Sequence, residues 1–226
     1  TISFPASLKR IGDHAFTFCM HLNSVSFPED SLLDTIGRAA FSNCKILTLP
    51  MPSKVRHIEG FCEYMHDLAQ IVISPMNPYI NGMSKDFILT DNNTVLAFAN
   101  RNITAVVIPS SVKTIGKCAF HCCKRLLSVS FEPKHDGTYV IERIEEKAFS
   151  YCSSLKSIEL PPSIKYIGKN AFEVCNMPSF EFSSDSQLET IDEDAFYMAS
   201  FDSLFLPAKV SNLEGFSLAP LSLGHF

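Results

Sequence analysis

The sequence predicts a β-rich solenoid with coils of about 23 residues, and three observations predict it. Phe149 and Phe172 hold the same place in two successive copies of one unit, 23 residues apart. An Ala-Phe pair recurs at that place in six units, and a short strand pattern recurs between them. A period of this size is typical of a solenoid, in which each coil buries its apolar face only against its neighbours. We therefore expect a right-handed superhelix of about nine coils, the first and last incomplete, as a single domain over residues 1–226.

Each coil contains a strand of the form L-x-x-V-x-F. Alternation over the last three positions turns two apolar side chains inward and the residue between them outward. Proline often follows, and it ends the strand because it has no amide hydrogen to donate. The strand segments are residues 22–27, 126–131, 155–160 and 201–206, with weaker copies at 46–49, 68–73, 103–108 and 177–182.

A second, shorter extended piece follows each strand, marked by two apolar residues three apart. Glycine or an acidic residue comes next, and both suit the entry of a short helical turn. We expect that turn to carry the Ala-Phe pair, with Ala allowing coils to approach and Phe filling the interior. The apolar pairs are Leu8/Ile11, Leu33/Ile36, Val55/Ile58, Val112/Ile115, Ile141/Ile144, Ile164/Ile167, Leu188/Ile191 and Val210/Leu213.

The period breaks over residues 74–102, where we predict a β-hairpin insertion. Two apolar segments, 86–90 and 94–98, flank Asp91-Asn92-Asn93, which is typical of a hairpin turn. Asn92 and Asn102 also head the N-x-S/T triplets of glycosylation acceptors. The units at 58–62 and 213–216 are shortened, and the first unit shows no cap, so we expect a fragment of a longer array.

The cysteines follow the repeat. Five of the eight stand three residues after a repeat phenylalanine, and Met65 and Ala199 fill that slot in two other units. A position that accepts Cys, Met and Ala favours a buried apolar side chain, so we expect a column of reduced thiols in place of disulfides. The five are Cys19, Cys44, Cys123, Cys152 and Cys175.

Composition narrows the function classes. The chain is 46% apolar and 19% charged with a net charge of −5, which argues against disorder and against nucleic acid or an anionic membrane as the main partner. No apolar run approaches the ~18 residues of a membrane span, so we expect no direct membrane insertion in this segment.

Motifs for chemistry are few. The sequence has no phosphate loop, dinucleotide glycine motif or hydrolase motif, so we expect a protein that is not an enzyme and needs no cofactor. Cys118, His121, Cys122 and Cys123 are the best metal candidates, since thiolates and imidazole suit Zn²⁺. Cys123 belongs to the thiol column, however, and a second ligand cluster is missing. Residues 189–194 are acid-rich but lack the spacing and glycine of a calcium loop. We therefore predict no metal site.

The outward strand positions give the candidate binding surface. One column aligns Ile46 with Gln70 and the next aligns Thr48 with Val72, and serines dominate the later coils. Small serines leave the backbone approachable, although serine also simply suits a crowded sheet. At ~4.8 Å per strand, nine coils give a face large enough for a protein interface. The predicted partner-binding residues are Gln70, Val72, Val107, Ser128, Ser130, Ser157, Glu159, Glu181 and Phe205.

Three segments, 4–16, 108–120 and 160–172, resemble the BspA-like leucine-rich repeat family in the order proline, apolar pair, glycine and Ala-Phe. This resemblance implies a leucine-rich-repeat solenoid and a cell-surface or secreted adhesion module. It also implies a protein ligand, such as a host matrix or cell-surface protein. The sheet face and the hairpin are the expected contact surfaces. Reduced cysteines favour an alternative, an intracellular scaffold, and an enzyme using the cysteine cluster is a third hypothesis.

Overall fold

The computed structural model describes residues 1–58, 60–80 and 86–214. Over these residues the chain is a β-solenoid of about nine turns, which confirms the predicted architecture. Each complete coil has three sides: a longer strand, a short strand, and a run of tight turns. We call them the first face, the second face and the turn side.

The first face begins with β1 (Ile2–Ser3), which lies outside the predicted strand segments. Its other strands overlap segments predicted from L-x-x-V-x-F, namely β3 (Val25–Ser26), β5 (Thr48–Met51), β6 (Gln70–Ile73), β9 (Ala105–Ile108), β11 (Ser128–Phe131), β13 (Ser157–Leu160) and β15 (Ser179–Phe182). The second face carries two-residue strands, namely β2 (Arg10–Ile11), β4 (Thr35–Ile36), β10 (Thr114–Ile115), β12 (Arg143–Ile144), β14 (Tyr166–Ile167), β16 (Thr190–Ile191) and β17 (Asn212–Leu213). The predicted hairpin is present as β7 (Phe87–Thr90) and β8 (Val95–Ala99).

Successive coils pair in parallel on both faces. The first face is divided into β1–β3, β5–β6 and the four-stranded order β9–β11–β13–β15. The second face contains β2–β4 and a seven-stranded sheet in the order β7–β8–β10–β12–β14–β16–β17. Only β7 and β8 pair antiparallel among the described strands. Strand β8 therefore occupies the position of a second-face strand next to β10, so the hairpin forms part of the second-face sheet.

The predicted helical turns are wrong, because the turn side contains no helix in the described chain. In seven of the described coils, two residues four positions apart have positive φ, as at His14 (58°) and Phe18 (62°). This conformation turns alternate amides along the solenoid axis. The amides of His14, Phe16 and Phe18 donate to carbonyls of the next coil at 2.8–2.9 Å. An α-helix would use those amides within the segment, so inter-coil hydrogen bonds replace helical ones.

Three of the four repeat glycines, Gly37, Gly116 and Gly168, serve close approach between coils, and not helix entry as we expected. A Cβ added to Gly168 would lie 2.8 Å from the Glu146 amide nitrogen, and one added to Gly37 would lie 2.8 Å from the Gly12 carbonyl carbon. Contacts this short require the neighbouring backbone to move. Glycine at these positions lets adjacent turns stack at the spacing of the strands.

The interior consists of two hydrophobic clusters that meet at the hairpin. Leu89 and Leu96 belong to the C-terminal cluster, whereas Ile88 and Phe98 belong to the N-terminal one. Phe120, Phe149, Phe172 and Phe196 form one stacked column with centroids 4.8–5.4 Å apart. No Cα atom of β6 lies within 8 Å of one of β9. The first face is therefore interrupted where the hairpin enters.

Two strand expectations fail. Ile46 is fully buried, and Thr48 pairs with Gln70, so the outward columns in that coil are displaced by two residues from our alignment. Residues 201–206, which we expected to form a strand, are in none of the described strands. Phe201 is buried there, whereas Phe205 is 82% exposed.

Candidate functional site

A groove of about 1,090 Å³ lies over three strands of the first face, β11, β13 and β15. The pairing of neighbouring strands aligns the outward-facing side chains of the groove floor in two columns. Ser157 lies beside Ser128 on one side and Ser179 on the other, and Glu159 lies beside Glu181. Between the columns, Val129 and Ile158 face the core and are buried. Alternation along each strand thus presents serines and glutamates to the groove while apolar residues hold the sheet in place.

Loops at the carboxyl ends of the strands form the wall of the groove. Gly137, Thr138 and Tyr139 come from one loop, and Ser183, Asp185 and Gln187 from another. The first of these loops closes on itself, because the Lys134 amide donates to the Thr138 carbonyl at 2.8 Å and Gly137 has φ of 81°. Asp136 accepts hydrogen bonds from the amide and hydroxyl of Thr138, which rigidifies the turn. The wall is therefore an ordered feature of the surface.

Every charged residue among the described lining residues is acidic: Glu159 and Glu181 on the floor and Asp185 on the wall. Both glutamates are exposed. Asp185 accepts a hydrogen bond from the Ser183 hydroxyl at 2.5 Å. The groove therefore combines negative charge with small hydroxyl groups.

The predicted partner-binding residues separate into four groups. Ser128, Ser130, Ser157, Glu159 and Glu181 all line this groove. Val107 is 59% exposed on the neighbouring β9, where it pairs with Ser130. Gln70 and Val72 are exposed on β6, beyond the interruption of the first face. Phe205 lies outside the described strands.

The loop wall was missed by sequence reasoning, although one signal for it was present. Residues 132–140 separate β11 from the next apolar pair, whereas only 161–163 follow β13. A longer connection at one strand end indicates extra surface there.

The hairpin exposes little surface. Its strands contribute buried Ile88, Leu89, Leu96 and Phe98, and exposed side chains are confined to its turn at Asp91 and Asn92. Both sequon residues, Asn92 and Asn102, are exposed.

The cysteine and histidine cluster lies at the junction of the two hydrophobic clusters. The Cys118 side chain packs in the N-terminal hydrophobic cluster and the Cys123 side chain in the C-terminal one. Cys122 Sγ lies 3.0 Å from His66 Nδ1. Among the described residues, no group of three or more His, Cys, Asp or Glu side chains has an arrangement that could hold a metal ion.

His121 is 1% exposed, and neither ring nitrogen has a hydrogen-bond partner among the residues that the structure describes. Its ring makes edge contacts with Tyr64 and Tyr151, at centroid distances of 5.2 and 5.7 Å. Burial, followed by the charge of Arg101, lowers the pKa of His121 to about 2, so the ring is neutral and packs as an aromatic side chain.

Arg101 is buried beside this cluster. Its guanidinium donates to the carbonyls of Ala99 and Ala119 at 3.3 and 2.9 Å and to Cys62 Sγ at 3.2 Å. It also lies 4.6 Å from the centre of the Phe98 ring. Within the described chain no carboxylate binds it, so carbonyl dipoles, sulfur and an aromatic face stabilise the charge.

All eight cysteines are free, and seven of them are buried. The thiols of Cys44, Cys152 and Cys175 each donate to a phenylalanine carbonyl of the preceding coil at 3.1 Å. Burial raises the pKa of Cys44 to about 11 and that of Cys175 to about 12. Cys19 is the exception to the predicted buried column, because it is exposed.

The acid-rich segment 189–194 contains a core residue and paired acids. Ile191 is fully buried, Asp192 accepts a hydrogen bond from the Tyr166 hydroxyl at 2.8 Å, and Glu193 pairs with Lys169 at 2.5 Å. These carboxylates are engaged with protein groups on the surface.

A model of the BspA type leucine rich repeat region matches residues 1–86, 94–140 and 135–226 in six copies. The comparison with curated proteins gives no match. In the described residues, no helix is long and apolar enough to cross a membrane.

Two solved structures resemble the fold. One is the pneumococcal vaccine antigen PcpA, with a TM-score of 0.71 and 17% identity over 96% of this chain. The other is a leucine rich cell surface protein from Faecalibacterium prausnitzii A2-165, with a TM-score of 0.57 and 20% identity over 98% of this chain. The chain covers 66% and 60% of those two proteins, which is less than two thirds of either.

Proposed function

The chain belongs to the BspA-type leucine-rich repeat family, and on that premise we propose that it is a protein-binding module rather than an enzyme. The ligand site is the groove over β11, β13 and β15. Its floor and loop wall carry the proposal, since five of the surface residues chosen from the repeat pattern line this one concavity. A concave surface with small polar side chains leaves backbone and hydroxyl groups open to a partner.

We propose further that the module acts at a cell surface or as a secreted protein, in adhesion to a host matrix or cell-surface protein. The family resemblance supports this role, as does the description of the F. prausnitzii protein as a cell surface protein. The two exposed sequon residues, Asn92 and Asn102, are compatible with it.

Binding of the purified chain to immobilised extracellular matrix proteins and to epithelial cells tests this function. A Ser130→Tyr, Ser157→Tyr variant fills the groove without changing its charge. Ser3→Tyr, Ser26→Tyr is the matched control, because these exposed serines lie on the first face outside the groove. We expect saturable binding that the groove variant loses and the control keeps, with equal melting temperatures for all three proteins. Equal binding by both variants would reject the groove as the site.

The contribution of the interrupted first face can be measured separately. A Val72→Glu, Val107→Glu variant changes two exposed apolar residues on either side of the interruption. Loss of binding in this variant would show that the contact surface continues across the interruption of the first face. Unchanged binding would show that the contact surface is limited to the groove.

An intracellular scaffold is the second candidate function, favoured by the seven buried free thiols. Reduced cysteines are more common inside cells than outside them. Antibody labelling of intact and permeabilised source cells distinguishes the two locations, because a surface protein is labelled without permeabilisation.

A further inference from the structure

The groove contains two like charges that the fold itself does not use. Glu159 and Glu181 stand in register on the neighbouring parallel strands β13 and β15. No ion pair or side-chain hydrogen bond to either carboxylate is present in the part of the chain that the structure describes. Like charges on adjacent strands repel one another, so this pair lowers the stability of the sheet.

Other acidic side chains of these and the preceding coil do have partners. Glu142 pairs with Lys165 at 2.9 Å and Glu193 with Lys169 at 2.5 Å. Both of those pairs join residues of neighbouring coils, so the repeat readily brings opposite charges together. The unpaired glutamates are therefore a local feature of the groove floor, and Asp185 extends their negative charge onto the wall.

We propose that the groove selects an extended segment of a protein partner that carries lysine or arginine. This proposal rests on the proposed function and adds the chemistry of the ligand. It follows from charge complementarity, because Lys and Arg side chains are the cations that a protein segment offers to a carboxylate pair.

The spacing of the floor suits such a contact. Neighbouring parallel strands lie ~4.8 Å apart, so a single ammonium or guanidinium group can approach both carboxylates at once. Asp185 offers a further carboxylate for a second cation. Ser128, Ser130 and Ser157 provide hydroxyl groups for the backbone of the same segment.

Fluorescence anisotropy with labelled ten-residue peptides tests this proposal on the whole chain. The probes are a peptide of alternating Lys and Ser, the same peptide with Glu in place of Lys, and one with Gln. We expect saturable binding of the Lys peptide alone, weakened as the salt concentration rises, because exposed charges are screened.

The decisive comparison uses two variants with the same change in net charge. Glu159→Gln, Glu181→Gln removes the carboxylates from the groove. Glu29→Gln, Asp30→Asn removes two exposed acids at the other end of the chain. Two exposed ion pairs at ~0.2–1 kcal/mol each correspond to a loss of about two- to thirtyfold in Kd, and we expect a loss in that range for the groove variant only. Its melting temperature should equal or exceed that of the parent, since the repulsion between the two glutamates is removed.

Equal weakening by both variants would show that net charge alone attracts the peptide, and would overturn the proposal. Binding of the Gln peptide as tightly as the Lys peptide would overturn it too. The proposed function is judged separately: cell or matrix binding that is lost with Ser130→Tyr, Ser157→Tyr but kept with Glu159→Gln, Glu181→Gln retains the groove as the site and rejects a cationic ligand. A neutral glycan is one occupant that this result would indicate.

Discussion

The Lys147 ammonium donates to the Glu63 carboxylate across 84 residues of sequence. Glu63 is 5% exposed and also accepts a hydrogen bond from Arg38 Nε at 3.2 Å. Arg38 in turn donates to Glu146 at 2.8 Å. This network joins the turn sides of the two halves of the solenoid at the level where the hairpin separates their first faces.

Removal of the cation should therefore destabilise the chain. Lys147→Met keeps most of the side-chain volume but leaves Glu63 buried with Arg38 as its remaining cationic partner. Breaking a buried ion pair costs about 3–5 kcal/mol, and we expect about 2 kcal/mol here because Arg38 remains. Urea titration measures the change. Lys165→Met is the matched control, since its pair with Glu142 is about half exposed, and a loss as large as that of Lys147→Met would contradict the role of burial.

Acid should weaken the same network. Burial opposes ionisation of Glu63, but hydrogen bonds from Lys147 and Arg38 outweigh it and lower its pKa below the ordinary value of 4.5. Because folding lowers this pKa, the carboxylate stabilises the folded chain above the unfolded value, and the stabilisation disappears as the pH falls through the folded value. Urea midpoints of the parent and Glu63→Gln should thus converge below pH 4.5. A constant difference down to pH 3 would exclude this linkage.

Phe172→Ala tests the stacked column. Phe172 is fully buried between Phe149 and Phe196, with centroids 5.2 and 5.4 Å away. Truncation of a buried aromatic side chain costs roughly 3–5 kcal/mol, and we expect a loss in that range by urea titration. The control Phe205→Ala removes an 82% exposed ring and should change little. A loss under about 1 kcal/mol for Phe172→Ala would mean that the column is not packed as described.

The thiols should differ in reactivity. Cys19 is exposed, whereas burial raises the pKa of Cys44, Cys122 and Cys175 and keeps them protonated. Thiolates are the reactive form, so one thiol should react rapidly with a disulfide reagent in the native chain and all eight should react in urea. Mass spectrometry identifies the modified residue. Rapid native modification of Cys122 would instead support a reactive pair with His66.

The core of the fold was predictable because the same spacing of apolar residues recurs in many coils, so a buried position that is unclear in one coil is identified from the others. The Phe at 120, 149, 172 and 196 and the Ile at 115, 144, 167 and 191 all face the interior, as their spacing predicts. Ser128, Ser130 and Ser157, which were predicted as outward-facing residues from strand alternation in the same coils, line the groove. Where one coil departs from the pattern, as at Ile46, the alignment shifted by two residues and the prediction failed.

The turn side was not predictable, since its conformation depends on neighbouring coils. An Ala-Phe pair after a glycine or an acid is compatible with a helix. Val174 adopts φ of 53°, although a β-branched residue rarely does so. The amide of Val174 donates to the Tyr197 carbonyl of the next coil at 2.9 Å, and such bonds offset the local strain. Likewise, nothing in the sequence pairs Lys147 with Glu63, because only the stacking of the two halves brings them together.

The inter-coil hydrogen bonds described for all three sides run along the axis of the solenoid, and this orientation governs how the molecule responds to force. When the two ends of the solenoid are pulled apart, the force runs parallel to these hydrogen bonds, and they break at one boundary between coils at a time. In a sheet pulled along its strands, by contrast, all the hydrogen bonds between two strands resist the force together. The chain should extend in steps as coils detach one after another. A step that frees the 23-residue coil between Phe149 and Phe172 adds roughly 80 Å of contour length. Such a molecule lengthens under tension and dissipates the load over many small events.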